Sequence, residues 1–220
     1  MADMGEFQEA VTAWAAGGPD DPDDPSDAGA LARDLAARLP VRAVVLLEGP
    51  SDEAAVNALA EARGRDLAAE GVCVLPMGGA MSVGRFARLL GPPGLDLRLT
   101  GLCDEAERRY YVRALERAGV AEPEFFVCAA DLEDELIRAL GVPRVQELVR
   151  AEGELRSLQI FLGQPAQQGR AAQQQMRRFF GTKGGRKIHY GRVLVEALAP
   201  EQVPAPLDDL LTSLLGISAS

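Results

Sequence analysis

The chain is poor in histidine. His189 is the only one in 220 residues. A multi-histidine metal site is therefore excluded, and without a nucleophile elbow so is a Ser-His-Asp triad. Cysteine is nearly as scarce. Cys73, Cys103 and Cys128 each sit in an apolar run, with no Cys-x-x-Cys spacing and an odd total. Neither a disulfide framework nor a zinc knuckle fits, and a reducing cytoplasm is the expected compartment. No apolar run approaches the roughly 18 residues a membrane span requires. The acidic start "MADMGEFQEA" shows no signal-peptide pattern.

What the sequence does have is charge, unevenly spread. The net charge is −10, yet residues 155–195 contain no acid. They carry Arg156, Arg170, Arg177, Arg178, Lys183, Arg186, Lys187 and Arg192, or +8, which leaves −18 for the rest. Such asymmetry suits a phosphate-binding face, with Arg177, Arg178 and Arg186 as candidate contacts. It suits equally well a solvated region that balances an acidic body. Phe179 and Phe180, beside the arginine pair, suit packing or stacking on bases.

Periodicity predicts an α/β fold. "GGPDDPDDPSD" (17–27) has no apolar anchor and reads as a linker or tail. Ser26 or Asp27 is placed to cap a helix over 26–39 carrying Leu31, Leu35 and Leu39. "VRAVVLLEG" (41–49) is a continuous apolar run, as in a strand buried on both faces. Further strands are expected at 71–77, 95–104 and 123–129, alternating with helices over 52–68, 82–91, 105–119 and 131–141. Four strand–helix units imply right-handed crossovers and a mainly parallel four-stranded sheet. Beyond them come a helix over 142–162, a looser Gln- and Gly-rich basic stretch over 163–187, and helices over 188–198 and 206–216. Three regions follow: an acidic N-terminal tail with a short helix over 1–40, the sheet domain over 41–140, and a basic helical extension over 141–220 packed on it.

Acids gather where strands end. The first strand runs into Glu48, with Asp52 four residues on. The third ends at Asp104, followed by Glu105 and Glu107, and the fourth is followed by Asp131, Glu133, Asp134 and Glu135. In a parallel sheet these ends share one edge, where ligands collect. Carboxylates crowded there raise one another's pKa values unless a cation neutralises them. Oxygen donors without His or Cys favour Mg²⁺ or Mn²⁺. Asp52 also suits a helix cap, and the acids after Asp104 and Asp131 suit first helical turns.

"LLEGPSD", "GLCDEAE" and "DLEDEL" together resemble the TOPRIM domain, the metal-dependent fold shared by topoisomerases, DnaG-type primases and several nucleases. The likeness is closer to the C-terminal TOPRIM part of the overcoming-lysogenization-defect (OLD) family of ATP-dependent endonucleases. It covers 41–140, including "VLPMGGAMSVGRFARLL" (74–90), and extends loosely to about residue 215. The resemblance implies a Rossmann-like fold binding one or two Mg²⁺ or Mn²⁺ ions. Glu48 would be metal ligand or general acid/base. Asp52 would join a metal site, Asp104 would be the first aspartate of an Asp-x-Asp motif, and Glu133 would complete a second site. Lys183 or Lys187 would assist phosphate chemistry.

Two departures stand out. Position 106 is Ala106, so the second aspartate of the motif is missing. Either Glu105 or Glu107 substitutes, or one metal site is weak or lost. The related endonucleases also carry an ATPase, whereas no Gly-x-x-x-x-Gly-Lys-Ser/Thr loop occurs here; "GTKGGRK" (181–187) lacks that register. The expected function is metal-dependent phosphodiester hydrolysis on DNA, with a separate ATPase subunit as a candidate partner. The alternatives are a degenerate module that binds nucleic acid or an ATPase without cutting, and hydrolysis of small nucleotides.

Overall fold

The structure is a computed structural model in which residues 3–17, 26–120 and 124–216 are described. Of the linker expected over 17–27, residues 18–25 lie outside the described residues. Helices α1 (Met4–Ala16) and α2 (Asp27–Arg38) precede β1 (Ala43–Leu47) and α3 (Pro50–Ala62). Then follow β2 (Val72–Pro76), α4 (Val83–Leu90), β3 (Arg98–Asp104), α5 (Arg108–Arg117), β4 (Glu124–Cys128) and α6 (Leu132–Leu140). The remainder is helical: α7 (Val142–Ala151), α8 (Leu155–Leu162), α9 (Ala172–Phe180), α10 (Arg186–Glu196) and α11 (Ala205–Ser213). Among the described residues no helix is long and apolar enough to cross a membrane.

The four strands form one parallel sheet in the order β2-β1-β3-β4. Every residue of β1 is fully buried, which is what its unbroken apolar run requires of a central strand. Alternation along β1 splits the core in two. Val44 and Leu46 face α1, α2, α4 and α5; Val45 and Leu47 face α3 and the helices from α6 onward. Between β1 and β3 the main chains come close. A Cβ added at Gly101 would lie 2.0 Å from the carbonyl oxygen of Leu46 and 2.9 Å from the Phe125 ring. Glycine at this position is a condition of the β1–β3 pairing.

The N-terminal region is not a tail. Phe7 and Val11 of α1 are completely buried and Trp14 nearly so, all in the cluster that holds Val44 and Leu46. These residues recur at i, i+4 and i+7, a core-facing stripe hidden within an acidic segment. A capping box starts the helix: Asp3 Oδ1 accepts from the Glu6 N–H at 2.9 Å, and Glu6 Oε2 accepts from the Asp3 N–H at 3.3 Å.

The helices after residue 140 pack on the sheet domain. Leu207, Leu210 and Leu211 of α11 are fully buried in the cluster that contains Leu47, and α11 packs against β3 and β4 while α10 runs along α3. The single helix expected over 142–162 is two, α7 and α8, parted at Gly153 (φ 74°). The stretch expected to be loose contains α9, whose Met176, Phe179 and Phe180 are buried.

If α1 is core, Phe7→Ala lowers unfolding stability by about 3–5 kcal/mol in urea titration. A residue in a solvated tail changes it by less than about 0.5 kcal/mol.

Candidate metal centre

Strand β1 delivers Glu48 to the carboxyl edge, and Gly49 and Pro50 turn the chain into α3. Gly49 is the N-cap and Pro50 occupies the first helical turn, where its missing N–H costs nothing. Asp52 follows, and its Oδ2 accepts from the Gly49 N–H at 3.0 Å. Its carboxylate is therefore a helix cap and also a wall of the cleft. Strand β3 ends at Asp104, and a turn closed by the Glu107 N–H on the Asp104 carbonyl (2.9 Å) brings Glu107 to the start of α5. Asp131 caps α6 by accepting from the Asp134 N–H at 2.8 Å, and Glu133 follows in the first turn. The strand order reverses between β1 and β3, where open parallel sheets form their clefts.

A cleft of about 480 Å³ opens at this point, lined by Glu48, Asp52, Asp104, Asp131, Glu133, Arg177 and Lys187. One oxygen each from Glu48, Asp104 and Glu107 lie within 4.8 Å of one another. A single hard cation with metal–oxygen distances of about 2.0–2.6 Å spans such a set. Glu107 Oε2 is buried with no hydrogen-bond partner, which is costly without a cation beside it. The donor set and this orphaned oxygen fit Mg²⁺ or Mn²⁺. Of the two acids considered for the missing aspartate, Glu107 faces Glu48 and Asp104. Glu105 is exposed, 3.9 Å from Arg108.

The other half of the cleft holds cations supplied by the chain itself. Lys187 Nζ lies 2.8 Å from Glu133 Oε1, a close ion pair with the glutamate 4% exposed. Arg177 pairs with Asp131. Lys187 reaches the cleft because Gly191, one turn later, lets α10 press on the start of α3. A Cβ there would lie 2.5 Å from the Ser51 carbonyl oxygen.

The other basic candidates lie elsewhere. Lys183 is exposed and does not line the cleft; its charge acts on Glu154. Arg186 is buried, paired with Glu154 at 2.8 Å and stacked 4.2 Å over the Phe179 ring, so it is committed to the interior and offers no surface to phosphate. Arg178 is exposed outside the cleft, with Nε 3.3 Å from Gln167 Oε1. Phe179 and Phe180 are core residues, Phe180 stacked on Tyr190. His189 sits at the surface, 2.7 Å from Glu152.

The electrostatics follow from crowding. Burial pushes the Asp104 carboxyl up to about 7, and the charges of Asp131, Glu48, Glu107 and Asp52 add to the effect. Burial likewise lifts Asp52 to about 7; Glu133 and Glu48 raise it further, while the Gly49 N–H and Lys187 oppose them. Burial and Glu48 raise Glu107. Burial alone would lower Lys187, but Glu133, Asp131 and Asp52 outweigh it and hold the ammonium above its ordinary value.

Residues 41–105 match the family model described as "Overcoming lysogenization defect protein-like, TOPRIM domain". This segment resembles the OLD-like TOPRIM domain. It includes Glu48, Asp52 and Asp104, but ends before Glu107, Glu133 and Lys187. The likeness in fold is wider. The C-terminal region of the Burkholderia pseudomallei OLD protein aligns with a TM-score of 0.61 at 20% identity, over 81% of this chain and 99% of its own. The C-terminal region of the Xanthomonas campestris pv. campestris OLD protein aligns with a TM-score of 0.61 at 24% identity in its mercury-phased structure, over 80% of this chain and 96% of its own. Its iodine-phased structure gives 0.60 at 25% identity over the same shares. No curated protein matches the sequence.

Sequence reasoning missed the Asp131–Arg177 pair and the part played by Gly191. Asp131 was visible as an acid after β4, but nothing local joins it to an arginine 46 residues away. Gly191 lies inside a helix, where glycine costs about 1 kcal/mol relative to alanine; that cost is the one local hint of a close contact.

Two outcomes follow. Asp104 and Asp52 keep protons in the folded chain at pH values where the unfolded chain has released them. Without metal, stability therefore falls as pH rises from about 4 to about 7. Asp104→Asn raises the metal-free Tm at pH 8 by about 2–4 °C for each kcal/mol relieved, and Mn²⁺ stabilises the wild type more than the variant; calorimetry with and without the ion reads both. Gly191→Ala forces α10 away from α3 and costs about 1–3 kcal/mol in chemical unfolding. An unchanged midpoint would show that the helices part freely.

Proposed function

We propose that this protein is a divalent-metal-dependent nuclease that hydrolyses phosphodiester bonds in DNA. The observation that carries the reading is the meeting of Glu48, Asp104 and Glu107 around a point where one carboxylate oxygen is buried and unpartnered. These three would hold a Mg²⁺ or Mn²⁺ ion. When bound, the ion supplies Lewis acidity against the phosphodiester and makes the attacking water more acidic. Lys187, rather than Lys183, is the lysine that meets the scissile phosphate. Its ammonium, kept charged by Glu133, offsets negative charge growing in the transition state. Arg177, oriented by Asp131, forms the adjoining wall and fixes the approach of the backbone. A second ion at Asp52 and Glu133 requires Lys187 to leave Glu133, so one ion together with the lysine is the favoured arrangement.

The partner implied by the family likeness is an ATPase, in the same polypeptide or another, and the compartment is the reducing cytoplasm, in keeping with three buried free thiols. A second reading, a non-cutting TOPRIM module, is favoured by Ala106 and by the ion pair with Lys187 that engages Glu133, the glutamate expected to complete a second site.

With supercoiled plasmid and Mn²⁺ the purified protein nicks or linearises DNA, and EDTA abolishes the reaction. Glu48→Gln and Lys187→Met each slow it by about 10²–10³-fold. Titration calorimetry shows Mn²⁺ binding that Glu48→Gln loses and Lys187→Met keeps. Absence of both cutting and Mn²⁺ binding establishes the module instead.

A further inference from the structure

On the other face of the sheet, a groove of about 530 Å³ runs between α4 and α5, lined by Arg85, Arg88, Arg113, Arg117 and Tyr110. Among the described residues no acid lines it, in a chain whose net charge is −10; Arg85 and Arg88 have partners within the chain, and Arg113 and Arg117 form its exposed wall. Glu116 lies on the far side of Arg113, in a neighbouring hollow with Arg109. The groove is concave because its floor is small. A Cβ at Gly84 would sit 3.6 Å from the Ala114 Cβ, so the two helices nearly touch beneath the arginines. Arg85 donates to the Ala15 carbonyl, which ties this wall to the end of α1. Tyr110 donates to the Met81 carbonyl at 2.8 Å and closes the upper end.

Two features give the groove a ligand. Arg113 and Arg117 stand at i, i+4 spacing along α5, both exposed, while Arg109, one turn earlier, lies in the neighbouring hollow with Glu105 and Glu116. Like charges at that spacing destabilise a helix, so propensity does not account for the pair. Along the chain the groove adjoins the metal centre. Met81 follows two residues after the cleft-lining Gly78–Gly79, and Tyr110 is three residues beyond Glu107.

We propose that the α4–α5 groove is a second phosphate track, binding the sugar–phosphate backbone of the same nucleic acid whose scissile bond lies in the Glu48–Asp104 cleft. It rests on the nuclease reading for the identity of that bond and on its own geometry for the binding. Arginine suits the role because its planar fork takes two phosphate oxygens at once. A continuous polyanion fits better than a mononucleotide: the groove is open, and Arg113 and Arg117 are spaced a turn apart along α5 instead of converging on one point. The track also places basic surface on both faces of the sheet, with the cleft at the edge between them.

The test is fluorescence anisotropy of labelled duplex DNA with the full chain in EDTA, across a salt series. Arg113→Gln/Arg117→Gln, two exposed changes that keep helix-forming residues, weakens binding about tenfold or more and reduces the slope of log K against log salt by about 2. Arg144→Gln/Arg150→Gln on α7 makes the same change in net charge and leaves both quantities as in the wild type. The groove proposal is overturned if the groove pair keeps wild-type affinity and slope, if the α7 pair loses as much, if the wild type does not bind DNA, or if polyglutamate competes as well as DNA. The last outcome would indicate an acidic protein partner. Because EDTA removes cutting, the two readings fail separately. Binding that depends on the groove in a protein that never nicks plasmid sinks the nuclease and keeps the track; nicking with binding indifferent to the groove does the reverse.

Discussion

Carboxylates that cannot get away from one another govern the carboxyl edge of this sheet. A fully buried β1 has one place to release its chain, and Glu48 is the first residue out. β3, next to it and in parallel register, releases Asp104 at the same edge. Burial and mutual repulsion then raise the protonation constants of Asp104, Asp52 and Glu107 together. Structural carboxylates usually avoid this by solvation or pairing. Here the cost persists in the folded chain, and a divalent cation is the direct means of relieving it.

The helices after α6 answer the same repulsion. Of the basic residues in the acid-free window, Arg177 pairs with Asp131, Arg186 with Glu154, Lys187 with Glu133 and Arg192 with Glu61. Half of the basic residues in that window are thus paired with acids: Arg177, Lys187 and Arg192 with acids of the sheet domain, and Arg186, the buried one, with an acid of the helical extension itself. Two of these pairs open on the cleft, so groups that fasten the extension to the sheet domain also set the charge next to the candidate metal. The other basic surface is on α4 and α5, within the acidic part of the chain, where a count of charge along the sequence averages it away.

Strand positions and the parallel sheet were legible because each strand is an apolar run closed by Gly, Pro or an acid. The acids at their ends were legible for the same reason: a carboxylate straight after a buried strand has few other uses. The helix α1 was not, since acidic residues and a Pro/Asp-rich neighbour masked the Phe7, Val11, Trp14 stripe. Glu107 and Glu105 were indistinguishable until the turn after β3 was known, because the path of that turn decides which carboxylate faces Glu48. Lys187 and Lys183 were separated only by packing of α10, which a sequence read one segment at a time does not contain. Arg186 looked like a phosphate contact and proved to be interior, an outcome set by Glu154, 32 residues earlier.

Gly101 has a wider meaning than strand packing. It holds β1 and β3 at their present separation three residues before the chain reaches Asp104, so the gap between the two principal oxygen donors is fixed by an atom that is not there. A methyl group at this buried point would act as a wedge, widening the mouth of the cleft from below and moving the candidate donors apart without touching either of them.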